Sequence, residues 1–391
     1  MANAQTDHSD AVRKPRISTP PVKSTASNAG PRPASPPSLA PSDPLVAVLT
    51  PLYNGEEFLV ETLECVQGQT YPNVVHVIVD NGSTDASPEI LARYANARTP
   101  VIVHRFEETV PVAQNYQRTL DHLPEGAKYF RYLAADDTMP ADSIEKMVAL
   151  AESEADIHIV GSMCSRGENT ADAGYENRGL PVDRQVFDGD WIAKTYLQGL
   201  HSCMRLGHTL FRTEVARRRR PFFTPDTMGS DVAAILDVCH GVKFGFVHED
   251  LGFMRDHKGA LSNTAAKELK TEMTEWLDWI DEFGPRYMTP REYEYRVWWQ
   301  LQMYYRSLLR WRFIDRRGDI ADTHYKRLAS EGRAPNLLDY ALALVAFPLA
   351  IVPRYARRLR DRIAPNRQLP PVRGNAFEGA TISAPPSEET A

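Results

Sequence analysis

At 391 residues with a formal net charge of −6, the chain is long enough for two or three structural units, and it carries no global positive field that would draw it to nucleic acid. Its four cysteines, Cys65, Cys164, Cys203 and Cys239, show no Cys-x-x-Cys spacing, which argues against a zinc site or a disulfide framework and fits a reducing cytoplasm.

Residues 1–44 are rich in Pro, Ser, Ala and Thr, without the apolar segment of a secretory signal, and are predicted to be a disordered tail. The texture changes at Leu45, where an apolar run to Thr50 reads as a first strand punctuated by Pro51. Phe58, Leu59, Leu63 and Val66 then recur at helical spacing as far as Gly68. Val74 to Val79 is a second strand, and a short helix over 87–94 carries Pro88 in its first turn. Val101 to Val103 is a third strand, 112–123 a helix, and Tyr129 to Leu133 a fourth strand. A helix over 142–151 and a strand over 157–160 complete the series. Strands alternating with helices at this spacing predict βαβ units, a mainly parallel sheet and right-handed crossovers.

Residues 165–260 are less periodic, with short strands such as Lys243 to Val247. From 264 to about 333 the pattern is helical and aromatic, with Trp276, Trp279, Trp298, Trp299, Tyr304, Tyr305 and Trp311. Leu337 to Val352 is almost wholly apolar, interrupted by Asp339 and Pro348, and is followed by Arg354, Arg357, Arg358, Arg360 and Arg362. The expected organisation is a tail over 1–44, a catalytic domain over 45–262, a helical region over 263–365 and a second disordered tail over 366–391. The apolar stretch is shorter than the roughly 20 residues a spanning helix needs. It reads as an interfacial helix whose arginines meet anionic headgroups over 337–362, or as a helix packed on the catalytic domain or across a dimer interface.

Two apolar runs end abruptly in acids. Val79 leads into Asp80-Asn81-Gly82-Ser83-Thr84-Asp85, and Leu133 into Ala134-Ala135-Asp136-Asp137. Such endings mark buried parallel strands whose C-terminal ends open into a ligand crevice. Together with Thr50-Pro51-Leu52-Tyr53-Asn54, with Phe58-Leu59-x-Glu61-Thr62-Leu63 and with Gln69-Thr70-Tyr71-Pro72-Asn73, these runs resemble, in order and spacing, the nucleotide-binding half of family 2 glycosyltransferases. The resemblance covers roughly residues 45–260. It implies an α/β GT-A fold (a Rossmann-like, mainly parallel sheet flanked by helices), here with a C-terminal helical extension, and an inverting, metal-dependent enzyme.

The resemblance also assigns roles. Pro51, Tyr53, Asp80, Asn81, Asn115 and Asp136 fall on donor-nucleotide positions, with Tyr53 stacking on the base. Asn81 stands where the family commonly has the second acid of a pair that accepts a pyrimidine imide N–H. Its carbonyl could accept that bond without charge, leaving a UDP- or dTDP-type sugar as donor. Asp136 and Asp137 match the family's metal-binding acids and would hold Mn²⁺ or Mg²⁺ against the departing diphosphate. Asp231, opening an apolar-periodic helix after Met228-Gly229-Ser230, matches the general base that takes the acceptor hydroxyl's proton. His208, Arg255 and His257 fall on the acceptor side. His201 precedes the same strand, and Arg217 to Arg220 could meet a phosphate-bearing lipid or form a solvated helix end.

The expected activity is transfer of a sugar to a hydroxyl of a glycan or lipid-linked acceptor, in surface polysaccharide or lipopolysaccharide synthesis. The expected setting is the cytoplasm, peripheral on the inner face of the plasma membrane, with self-association through the helical region. Two other readings stay open. One is a non-catalytic nucleotide-sugar-binding scaffold, suggested by Asn81, Ala135 and Ser230 standing where acids are common. The other is a sugar-nucleotide pyrophosphorylase, disfavoured because the loop after the first strand is acidic and poor in glycine. A dinucleotide oxidoreductase is excluded by the absence of a Gly-x-Gly-x-x-Gly run.

Overall fold

The computed structural model describes residues 43–345 apart from 171–172, 177–179, 226–228, 258 and 260–267. Apart from Asp43 and Pro44, the expected tails at 1–44 and 366–391 lie outside the described residues, as do the arginines after Val352.

The first half follows the alternation legible in the sequence. β1 (Val46–Leu52) and β2 (Val74–Asp80) are buried at every position, as parallel strands covered on both faces must be. Between them α1 (Leu59–Gln67) buries Leu59, Thr62, Leu63 and Val66, the i, i+3, i+4, i+7 stripe of an amphipathic helix. Next come α2 (Ser87–Ala92), with Pro88 in its first turn, β3 (Val101–Arg105), α3 (Val112–Asp121) and β4 (Tyr129–Tyr132). α4 (Ser143–Ser153) then leads to β5 (Ile157–Gly167).

The second half departs from simple alternation. β6 (Gly174–Glu176), β7 (Val186–Asp188), α5 (Gly189–Leu197), β8 (Thr209–Arg212), the short α6 (Thr213–Ala216), α7 (Ser230–Val238) and β9 (Lys243–Arg255) follow in order. The nine strands form one sheet, ordered β3-β2-β1-β4-β8-β5-β9-β7, with β6 beside β5. β3, β2, β1 and β4 run parallel, and β8 then inserts antiparallel between β4 and β5. The sheet is therefore mixed. β9 pairs with β5 over nearly its whole length, with register shifts near Ser162 and Met163 that bend its end toward Thr138, which it also meets at Phe253.

The helical extension comprises α8 (Glu272–Tyr287), α9 (Pro290–Leu309), a π-helical turn (Arg310–Ile314) and α10 (Gly318–Ser330). Thr289 and Glu292 close a capping box on α9, each side chain accepting from the other's backbone N–H. The chain is helical again from 337 to 345. α8 does not stand apart from the sheet. Trp276, Trp279, Ile280, Phe283 and Tyr287 share one buried cluster with Phe130, Phe211, Phe244 and Ile235, so the core runs across the expected boundary at 262–263. A smaller cluster joins Tyr304, Tyr305, Trp311, Ile320, Leu328 and Ala343 within the extension. No helix among the described residues is long and apolar enough to cross a membrane.

Candidate functional site

The strand ends expected to carry chemistry lie side by side, because β1 is flanked by β2 and β4. At the end of β1, Pro51 pairs in register with Val79 and Leu52 with Asp80, and Tyr53 emerges half exposed just beyond. Asn54 has positive φ; its side-chain carbonyl accepts from the Thr84 N–H (2.8 Å) and its own N–H donates to Ser83 Oγ (2.9 Å). The Asn81–Ser83 turn is thus tied to the Tyr53 loop.

Asp80 is fully buried. Its Oδ1 accepts from the Ser83 N–H (2.8 Å), and its Oδ2 has no hydrogen-bond partner, lying 3.6 Å from Arg105 Nε. Asn81 is differently engaged. Its amide donates to the Val110 carbonyl (2.9 Å) and accepts from the Val110 N–H (3.0 Å) and Arg118 (3.3 Å). The carbonyl expected to read a base is therefore already filled by the loop before α3, and Asp80 Oδ2 is the acceptor left over. Asn115, buried on α3, keeps its side-chain carbonyl without a partner.

The loop after β4 is held from three sides. The buried Thr62 hydroxyl on α1 lies 3.0 Å from the Ala135 carbonyl and 2.9 Å from that of Asp137, and Gln69 donates to the Pro140 carbonyl (2.8 Å). From β9, the Arg255 N–H donates to Asp137 Oδ1 (3.0 Å) and the Arg255 guanidinium to the Asp136 carbonyl (3.1 Å) and Glu61. His257 Nε2 lies 2.9 Å from Asp136 Oδ2, its ring against Phe58. Arg255 and His257, expected on the acceptor side, thus stand at the acidic pair.

Burial, and then the charge of Asp136, push the Asp137 carboxyl up to about 8. Two crowded carboxylates and an imidazole are a donor set that a hard divalent cation would relieve. Among the described residues no group of three or more His, Cys, Asp or Glu is preassembled to hold a metal. Mg²⁺ and Mn²⁺ take oxygen ligands and keep water and phosphate oxygens among them, so two adjacent carboxylates can supply the protein's share. The residues present fit such an ion.

Beneath the loop, Arg131 of β4 is completely buried. It donates to the Leu251 carbonyl (2.9 Å), the Gly207 carbonyl (3.2 Å) and Ser143 Oγ, joining β4, α4, β9 and the turn before β8. Burial lowers its pKa to about 10, so it remains a cation at neutral pH below Asp137. Nothing in the run Tyr-Phe-Arg-Tyr announces this role. His208, expected to face an acceptor, is instead enclosed beside it. Neither ring nitrogen has a hydrogen-bond partner, and a Cβ on Gly252 would fall 2.1 Å from His208 Nδ1. Burial, then the charges of Arg131 and Arg205, hold the ring neutral. His201 is likewise interior, bonded to the Ile192 carbonyl, Thr195 Oγ1 and Cys203 Sγ, each at 3.0 Å. Arg219, from the basic run, pairs with Asp237 on α7 (3.0 Å).

Asp231 occupies the first turn of α7, where the helix dipole favours a carboxylate. Burial nevertheless raises its pKa, opposed in part by Arg205. The Tyr116 hydroxyl, held protonated chiefly by its own burial, feels the charges of Asp136, Asp137 and Asp231 together. Acids about a hundred positions apart are thus brought within electrostatic reach of the same hydroxyl. Before Asp231, Gly229 adopts φ +70°, and a Cβ there would lie 2.5 Å from Trp279 and 3.1 Å from Glu275, both on α8. Glu275 was not singled out in the sequence. Its carboxyl, raised by burial and then by acids including Asp231, places a second acid from the extension beside the α7 N-terminus.

Volume alone does not mark this site. A groove of about 670 Å³ lined by Lys146, Asp183, Arg184 and Glu249 contains none of these acids.

Residues 47–222 match the family model described as "Glycosyl transferase family 2". TuaG of Bacillus subtilis (strain 168), provisionally named a teichuronic acid biosynthesis glycosyltransferase, is 31% identical over 105 residues, covering 27% of this chain and 41% of TuaG. Glycosyltransferase GlyA of Streptococcus pneumoniae serotype 4 is 29% identical over 147 residues, covering 37% of this chain and 20% of GlyA. The matched segment therefore spans about two fifths or less of these relatives. Among solved structures, S. aureus TarS 1-349 in complex with UDP-GlcNAc superposes with a TM-score of 0.50 at 14% identity, covering 69% of this chain and 73% of that one.

Proposed function

Because the chain belongs to glycosyl transferase family 2 and has the GT-A fold, we propose that it transfers a sugar from a nucleoside-diphosphate donor to an acceptor hydroxyl with inversion at the anomeric carbon. The observation that carries this reading is that the buried acids Asp137, after β4, and Asp231, at the start of α7, both act on the buried Tyr116 hydroxyl, while Arg255 and His257 hold Asp136-Asp137 in place.

The base stacks on Tyr53. Asp80 Oδ2, not the engaged Asn81 amide, accepts an N–H from it, the imide N–H of a uracil or thymine in a UDP- or dTDP-type donor. Asp136 and Asp137 hold Mn²⁺ or Mg²⁺, with His257 and Arg255 fixing the two carboxylates. When bound, the ion offsets the negative charge that gathers on the departing diphosphate. Asp231 accepts the acceptor's O–H proton as that oxygen bonds to the anomeric carbon. The bond from that carbon to the phosphate oxygen breaks on the opposite face, and the nucleoside diphosphate leaves. The raised pKa of Asp231 brings its basicity nearer to neutral pH, as a general base requires. The acceptor is a glycan or lipid-linked hydroxyl of a cell-surface polymer, and the enzyme works on the cytoplasmic face of the membrane.

A thermal-shift screen of uridine, thymidine and guanosine diphosphate-sugars, with and without Mn²⁺, tests donor class and metal together, because a ligand of the folded state raises the melting temperature. A uridine or thymidine sugar that stabilises only with Mn²⁺ is expected. Turnover of that donor is then assayed in the parent and in Asp231→Asn. Transfer or hydrolysis should be lost in the variant while donor binding stays, and an equally active variant sinks the assignment. Tight metal-dependent binding without turnover in the parent would favour a nucleotide-sugar-binding scaffold.

A further inference from the structure

The extension carries an apolar face that nothing within the described residues covers. In the helix over 337–345 only Ala343 is fully buried, with Tyr340 packed partly against the same cluster. Leu337 is 89% exposed, Leu338 66% and Val345 60%, and Asp339 is the one charged residue of the helix. A helix apolar nearly all round belongs in an interior. Beside it the π-helical turn presents Phe313 at 71% and Ile314 at 75% exposure. The two elements adjoin, since Tyr340 feels the charge of Arg312 and shares a cluster with Trp311. Exposed apolar side chains gathered this way mark a surface that meets something.

The surrounding charge selects what that is. Between 306 and 317 stand five arginines and one aspartate. Arg310, Arg312 and Arg317 have carboxylate partners, in exposed pairs worth little against a stronger anion, and the face stays net positive. The chain beyond 345 continues apolar and then adds five more arginines by 362. A two-fold dimer through this face would bring two net-positive surfaces together. An anionic lipid surface complements both the apolar and the cationic parts.

We propose that the turn Arg310–Ile314 and the helix over 337–345 form a docking face for an anionic bilayer, with Phe313, Ile314 and the outer leucines entering the headgroup boundary. The face lies flat on the membrane and does not span it. This deepens the peripheral placement proposed above and is independent of the sugar chemistry, because the test contains no donor.

The test is flotation of the full chain with phosphatidylcholine vesicles, with and without phosphatidylglycerol, at low and high salt. The parent is expected to float only with phosphatidylglycerol and to be released by salt. Phe313→Ser combined with Ile314→Ser should weaken partitioning by about a hundredfold. Arg316→Gln, at an exposed arginine, should weaken it by about fivefold. All three positions are exposed, so circular dichroism should be unchanged. A parent that stays with the unbound fraction on phosphatidylglycerol vesicles overturns the proposal, as does a double variant that floats equally well. So does a parent dimer in sedimentation equilibrium that the double variant converts to monomer without any flotation, which would assign the face to a second copy of the chain.

Discussion

Gly229→Ala is the sharpest single test of how the extension supports the site. The position has φ +70°, where an alanine costs about 1–2 kcal/mol because its Cβ crowds the backbone. A Cβ there would also sit 2.5 Å from Trp279 Cζ2, well inside van der Waals contact. Trp279 cannot yield freely, since it is 7% exposed and packs against Trp276 and Tyr196. Overpacking of this kind costs about 1–3 kcal/mol. Together the two effects amount to about 2–5 kcal/mol, which urea unfolding would read directly. Trp279→Phe removes the opposing ring atom and should cost about 1–2 kcal/mol alone. The double variant should then be less destabilised than the sum of the single changes by about 1–3 kcal/mol. Because Asp231 lies two residues on, donor turnover should fall in Gly229→Ala and recover in part in the double variant. A cost below about 1 kcal/mol, or strict additivity, would refute the claim that α8 braces the start of α7.

Other outcomes follow from the same geometry. Asp137→Asn should abolish the Mn²⁺-dependent part of donor stabilisation in the thermal-shift assay while the fold stays intact; full retention would remove Asp137 from the metal site. Thr62→Val leaves the Ala135 and Asp137 carbonyls without their shared hydroxyl, so it should cost about 1–3 kcal/mol and weaken Mn²⁺ affinity, both by titration. His76, buried and pushed down to about 3, stays neutral in the folded chain while the unfolded chain protonates near 6.5, so the stability it contributes is complete above that pH and lost as pH falls through the interval. Between pH 7 and 5 this amounts to about 2 kcal/mol, and His76→Gln should flatten the urea-measured pH dependence by that much; an unchanged slope would contradict it.

The chain from β1 to α4 was legible because local signals agree there. Continuous apolar runs give way to a 3.6-residue period from strand to helix, and Pro51, Gly68 and Pro88 punctuate the changes. The long-range partners were not. β8 is four residues long and becomes the bridge between β4 and β5 only through pairings that no local pattern encodes. β9 carries His248, Glu249 and Asp250 in its middle and reads as a short strand followed by a loop, yet it runs for thirteen residues and pairs with β5 at both ends, from Lys243 to Arg255. The acids at the strand ends were visible because they interrupt apolar runs. Their partners were hidden by distance, since His257 reaches Asp136 across 121 positions. Asn81 shows the limit of motif reading. Its residue type suits a base, but the loop at Val110 had a prior claim on every group it offers.

The shared core of α8 and the sheet bears on how this chain can be divided or recombined. A fragment ending at 262 would retain Asp80, Asp136, Asp137 and Asp231, yet it would lose Glu275, expose the surface that Trp276, Trp279, Ile280 and Phe283 now cover and leave Gly229 without the wall it was shaped to fit. The unit that must be inherited, truncated or grafted as one piece therefore reaches at least to Tyr287. A hybrid that joins the strands of one relative to the helices of another will have to exchange both sides of that seam together.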